Sequence, residues 1–173
     1  MTGAAFPILL TFDLDAEPAI LARDPEDAHR PVTLSRGRYG AQRGLPRLLA
    51  LLRQEQIAAT FFVPGWVVEQ CPAAIETIFQ DGHELAHHGY HHVPPASQSL
   101  DEAELAGLAR EDGACFVLTM HPQLIGRASR VLLLERLIAF ARSLGPVEFL
   151  RCRELTERVR GQVDAGTDHV RRD

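Results

Sequence analysis

A chain of 173 residues, 46% of them hydrophobic, is long enough for one cored domain and too short for two comfortable ones. Its formal charge of -5, from 18 basic and 23 acidic residues, argues against a nucleic-acid partner, because the C-terminal arginines alternate with acids as on a solvated helix face. Cys71, Cys115 and Cys152 are widely spaced with no C-x-x-C pair, the N-terminus lacks a basic leader, and no apolar run approaches bilayer length, so a reducing cytoplasm and no membrane partner are the expectation.

Strand and helix signals alternate along the chain. Ile8 to Phe12 is an apolar run that stops at Asp13-Leu14-Asp15, and the polar stretch after it, with Pro18, Pro25, Pro31, Gly37 and Gly40, reads as a loop. Leucines at helical spacing predict a helix from Gly44 to about Gln56. A strand over Ala59 to Val63 follows, stopped by Pro64-Gly65. A second helix begins at Trp66 or Pro72 and ends at Gln80, before a short strand over His83 to Ala86. Leu100 to Arg110 looks helical, Cys115 to Met120 looks like a buried strand, and Arg130 to Ser143 is strongly helical. Gly145-Pro146 separates that helix from a last strand, Val147 to Leu150, and from a terminal helix near Arg153 to Val159. Strands separated by single helices imply parallel neighbours with helices outside, an α/β sheet or barrel. Residues 1–160 form the expected single domain, and 161–173 a frayed tail.

In parallel α/β architectures the loops after the strand C-termini build the site. Three polar groups fall at such ends: Asp13 and Asp15 after the first strand, His88 and His92 after the third, and His121 after Met120. Residues Gly82 to His92 alone hold five of the eight histidines, interrupted by Glu, Leu, Ala, Gly and Tyr, unlike a pure tag. An Asp with two His can hold a divalent ion and leave positions open for water and substrate, as metal-assisted hydrolysis requires. If Asp13-Leu14-Asp15 stays extended, both carboxylates face one side; one can bind metal while the other accepts a proton. By itself D-x-D is equally a turn or capping pair.

Three segments together resemble the first, second and last motifs of the polysaccharide deacetylases, the NodB-homology or carbohydrate esterase family 4 group: Thr11 to Asp15, Gly82-His83-Glu84 with His88 to His92, and Leu118 to Pro122. Leu34-Ser35-Arg36-Gly37 and Gly44 to Leu49 resemble its intracellular branch, which includes peptidoglycan deacetylase-like proteins and relatives acting on cyclic imides or allantoin. The resemblance implies a NodB-type, TIM-like (β/α) barrel and a metal-dependent hydrolase of non-peptide C–N bonds. It places the general base at Asp13, the metal ligands at Asp15, His88 and His92, and the proton donor at His121. The implied cofactor is a divalent metal, best zinc, although cobalt, nickel or iron suits the same ligands. The family pattern gives His83, His87 and His91 no role. The bland reading makes His83 a strand-lead residue, His91 a loop neighbour and His87 a solvated or supporting group; Glu17, Arg36 and Trp66 are candidates to line a substrate pocket, with a loop charge, a loop anchor and a core ring as the favoured reading.

The family carries several further strands, with an Arg-x-Pro motif, between its histidine motif and its last motif. Here only the 28 residues Val93 to Met120 stand there, without an Arg-x-Pro, so the barrel is expected to be incomplete. Bare sheet edges then favour a homo-oligomer. Two readings follow: a hydrolase acting on an N-acetyl sugar, a cyclic imide or a ureide, or a catalytically inactive remnant that binds metal or a partner protein. The substrate-binding residues are not legible.

Overall fold

The computed structural model describes residues 5–92 and 115–170, with side chains as far as residue 161. Five parallel strands form one sheet: β1 (Phe6–Asp13), β2 (Thr60–Val63), β3 (Glu84–His87), β4 (Phe116–Met120) and β5 (Val147–Phe149). β1 is central because it is apolar on both faces, with Ile8 to Phe12 all buried. Ile8 pairs with both Phe116 and Phe149, so β4 and β5 lie on opposite edges of β1. β5 therefore shares its edge end to end with β2, which pairs from Thr11 onward. The order β3-β2-β1-β4 leaves β3 and β4 as outer strands that do not meet among the described residues. This is an open sheet and not a closed barrel, in line with the expected loss of central strands.

Helices cover the sheet. α3 (Leu45–Gln54) repeats leucine at helical spacing and buries Leu45, Leu48, Leu49, Leu51 and Leu52 in the core. Phe12 and Phe61 stack at 4.9 Å in the same core, and burying each side chain contributes about 1.5–3 kcal/mol. α7 (Ala128–Ser143) lies beside α3, and Arg142 donates to the Glu55 carboxylate and, at 2.8 Å, to its carbonyl.

The stretch after Asp15 is not the loop that its prolines suggest. It folds as α1 (Pro18–Leu21), a 3₁₀ turn (Pro25–His29), α2 (Pro31–Tyr39) and a π-helical turn (Gly40–Gly44) leading into α3. Pro18, Pro25 and Pro31 each stand in the first turn of their helix, where a missing N–H costs nothing and a fixed φ helps. The same rule chooses between the two expected starts of the second helix: Pro72 opens α5 (Pro72–Gln80), and α4 (Gly65–Gln70) stands apart, because Cys71, ahead of Pro72, leaves the helical region at φ -131 and ψ 48.

Two further expectations change. β4 is buried only at its end, at Met120: Phe116 and Val117 are 45% and 49% exposed, because among the described residues this strand has a partner on one side only. α8 (Cys152–Val170) runs past the expected frayed end. No proline follows Pro146 to stop it, and a helical glycine costs only about 1 kcal/mol. The helix expected over 100–110 lies outside the described residues. The cysteines are unpaired, and no described helix is long and apolar enough to cross a membrane.

Candidate functional site

The C-terminal ends of β1, β3 and β4 converge, and each brings part of a five-residue polar cluster. On β1, the Leu14 N–H donates to the Phe62 carbonyl at 2.9 Å, so the extended path outlasts the strand. Leu14 is fully buried; alternation then sends Asp13 and Asp15 to the opposite face. Asp15 is itself only 1% exposed. The chain then turns at Ala16, whose φ of 51° is left-handed, a conformation that costs a non-glycine residue about 1–3 kcal/mol. Gly37 of α2 secures that turn: a Cβ there would stand 2.5 Å from the Ala16 carbonyl oxygen.

After β3 the His88 N–H donates to the Val63 carbonyl, and a tight turn through Gly89, with φ 68°, brings the chain to His92, itself left-handed at φ 56°. α4 holds this turn with the free N–H groups of its first residues: Gly65 donates to Gly89 O at 2.9 Å and Trp66 to Tyr90 O at 3.3 Å. The Tyr90 hydroxyl meets Glu69 at 2.9 Å. After β4, His121 caps the short helix α6 (Pro122–Ile125). That helix docks on the π-helical turn, where a Cβ on Gly44 would fall 2.2 Å from the Pro122 carbonyl oxygen and one on Gly126 2.3 Å from Gly44 Cα. The sheet adds a bond below the cluster, the Thr11 hydroxyl to that of Thr119 at 2.9 Å.

All five expected residues are brought together. His88 Nε2 and His92 Nε2 stand 3.5 and 3.6 Å from Asp15 Oδ1, and one donor atom from each of the three lies within 4.8 Å of the others. His121 Nε2 is 3.4 Å from Asp15 Oδ2 and 3.8 Å from Asp13 Oδ2, and His88 Nε2 is 4.0 Å from Asp13. Asp15 Oδ1 and His88 Nε2 are buried without a hydrogen-bond partner among the described residues. Buried polar atoms are costly unless something satisfies them. One carboxylate and two imidazoles around a common point are a donor set that fits a divalent metal ion. Burial raises the Asp13 pKa above its ordinary value; His88 opposes the rise, Asp15 adds to it, and His121 and His92 lower it.

Beside the cluster lies a cleft of about 350 Å³ lined by Asp15, His92 and His121, by Ala19, Ile20 and Leu124, and by Arg23, Thr33 and Arg36. Of the two readings of Arg36, pocket residue and loop anchor, the structure has the first: Arg36 lines this cleft. Arg23 had no legible signal, because only the helical folding of 18–39 brings it here. Glu17 is a loop charge paired with Arg38 at 2.6 Å, and Trp66 packs against the core. His83 precedes β3, buried, and accepts from the Ala59 N–H at 3.1 Å. His87 and His91 are exposed, His91 edge-on to Tyr90.

Comparison with known proteins identifies the family and the fold. The family description "Polysaccharide deacetylase" matches residues 6–113. A peptidoglycan deacetylase of Helicobacter pylori is 35% identical over 74 residues, which are 43% of this chain and 25% of that protein, so the match spans about a quarter of the relative. A crystal structure from Mycobacterium smegmatis assigned to the polysaccharide deacetylases superposes with a TM-score of 0.80 at 24% identity, covering 92% of each chain. The Puue allantoinase structure gives 0.64 at 16% identity, over 88% of this chain and 89% of that one. At those identities the structural matches establish a common fold.

Proposed function

Because the chain belongs to the polysaccharide deacetylase family, we propose that it is a metal-dependent hydrolase of non-peptide carbon–nitrogen bonds, acting on an N-acetyl sugar. A cyclic imide or a ureide presents the same kind of bond. The observation that carries this reading is the convergence of Asp15, His88 and His92 on one point, with three of their buried atoms unsatisfied among the described residues.

In this reading Asp15, His88 and His92 hold a divalent ion, zinc for this donor set. Such an ion supplies Lewis-acid polarisation of the carbonyl and activation of water. Asp13, on the same side of β1 as Asp15, accepts the proton that the attacking water releases. His121, across from Asp13 at 3.8 Å, delivers a proton to the departing nitrogen. Asp15 Oδ2, 3.4 Å from His121 Nε2, keeps that imidazole aimed into the cleft. The apolar wall of Ala19, Ile20 and Leu124 receives the non-polar face of the substrate.

One observation favours the second reading, a remnant that binds a partner: the flank of β4 and α7 forms an apolar hollow of about 650 Å³ whose lining includes Phe116, Leu137, Phe140 and Leu144. A homo-oligomer is the simplest partner for such a surface. Elemental analysis of dialysed protein separates the readings. Wild type should carry about one zinc per chain, lost in Asp15→Ala and His88→Ala, whereas Asp13→Ala should keep the metal and lose turnover. Equal metal loss in all three variants overturns the role assignment. Metal uptake without turnover of any N-acetyl sugar, imide or ureide supports the remnant.

A further inference from the structure

We propose that Arg23 and Arg36 form an anion subsite in the cleft beside His92 and His121, so that the substrate is an N-acyl compound that also carries a carboxylate; this rests on the hydrolase reading for the acyl group alone. The argument begins with charge matching along the segment that follows Asp15. Asp24 and Asp27 meet Arg30 at 3.2 and 2.8 Å, and Glu17 meets Arg38 at 2.6 Å. Asp15 faces three imidazoles. Among the described residues both carboxylates that line the cleft, Asp15 and Asp27, are therefore already faced by a base, whereas neither Arg23 nor Arg36 has an ion pair or a side-chain hydrogen bond there. Both nevertheless line the same concavity as His92 and His121.

Two features make this more than two solvated loop charges. Arg36 stands on α2 directly before Gly37, whose contact with the Ala16 carbonyl fixes α2 against the Asp15 turn, so the guanidinium is carried on a helix locked to the metal-binding residues. The two carboxylates in the same lining are already engaged, Asp15 by three imidazoles and Asp27 by Arg30 at 2.8 Å; Thr33, one turn before Arg36, adds a hydroxyl, and Ala19, Ile20 and Leu124 add apolar surface. A guanidinium binds a carboxylate through two parallel hydrogen bonds, a geometry that water does not reproduce. A neutral N-acetyl compound leaves that capacity unused.

The test is a titration of folded protein, with and without bound zinc, using N-acetylmuramic acid and N-acetylglucosamine, which differ by a lactyl carboxylate. An N-acetyl amino acid beside its methylamide asks whether the carboxylate must sit on a sugar. The acid of a pair should bind about tenfold more tightly than its neutral partner, the increment of a charge-assisted hydrogen bond. That ratio should shrink with added salt, fall towards unity in Arg23→Ala/Arg36→Ala, and recover in part in Arg23→Ala/Arg36→Lys. Both arginines are exposed, so the variants should keep the wild-type unfolding midpoint. Equal affinity for acid and neutral partner in wild type overturns the proposal. So does a ratio that survives in the double alanine variant, or one that appears only with zinc, since the carboxylate would then sit on the ion. Failure of the hydrolase reading shows separately, as no turnover while the binding ratio persists.

Discussion

α3 and α7 are both leucine-rich helices on the same sheet, yet they end in opposite circumstances. All five leucines of α3 are buried, none more than 5% exposed. α7, longer by six residues, buries only Leu134 and Ile138 and leaves Leu132, Leu133, Leu137 and Phe140 open to solvent. Composition does not separate them; neighbours do. The α3 leucines join Phe12 and Phe61 in the core, whereas Leu137 and Phe140 of α7 border a hollow beside Phe116 of β4, an edge without a further strand among the described residues. The polar cluster belongs to the supported half: Asp13 and Asp15 extend β1, and His88 and His92 follow a strand joined to it through β2. His121 alone comes from the exposed side. It is carried there by the pairing of β4 along Ile8 to Phe12 and by the Gly44–Gly126 contact.

The contrast breaks most directly by truncation. Phe61→Ala, in the stacked centre of the supported half, should cost about 3–5 kcal/mol, and Leu133→Ala, on the open face of α7, should stay within about 0.5 kcal/mol. Urea unfolding of both variants checks this. A large loss at Leu133 would mean that the flank is covered in solution, as an oligomer would cover it. The junction between the halves sharpens the picture. Gly44→Ala places a Cβ 2.2 Å from the Pro122 carbonyl oxygen, so it should destabilise by about 1–3 kcal/mol as α6 gives way. Asp15, His88 and His92 take no part in that contact. Zinc uptake should survive while turnover falls, and a parallel loss of both would show that α6 supports the trio as well.

The same division explains what could be read from the sequence. β1 and α3 announce themselves by an unbroken apolar run and by leucines at helical spacing, and both lie where expected. The five polar residues were legible because they stand next to strand ends, and parallel topology collects strand ends. The segment from Pro18 to Gly44 was misread because proline stops a helix in its interior and starts one in its first turn, and composition alone does not tell these positions apart. Arg23 was illegible for the same reason, since its place in the cleft exists only once that segment is helical. The exposure of β4 was hidden because an apolar strand reads alike at the centre of a sheet and at its edge.

His83 offers the finest test of the supported half, since it sits in the histidine-rich segment yet serves the core. Its Nδ1 accepts the Ala59 N–H, its ring packs against Phe61, and its Nε2 is buried without a partner among the described residues. Burial pushes its pKa below 6.5; Asp81 opposes that shift, and Arg151 and Arg53 add to it. Above pH 6.5 the ring is neutral in both the folded and the unfolded chain. Below it the unfolded chain takes up a proton that the folded one refuses, so stability present above 6.5 is lost as pH falls towards the depressed folded value. The quantity to follow is the difference in unfolding free energy between wild type and His83→Gln, in which ionisations common to both proteins cancel. That difference should narrow from pH 7 to pH 5, because the variant has no proton to refuse. A difference that stays constant would mean that His83 is protonated without cost, and that water reaches β3 beneath α5.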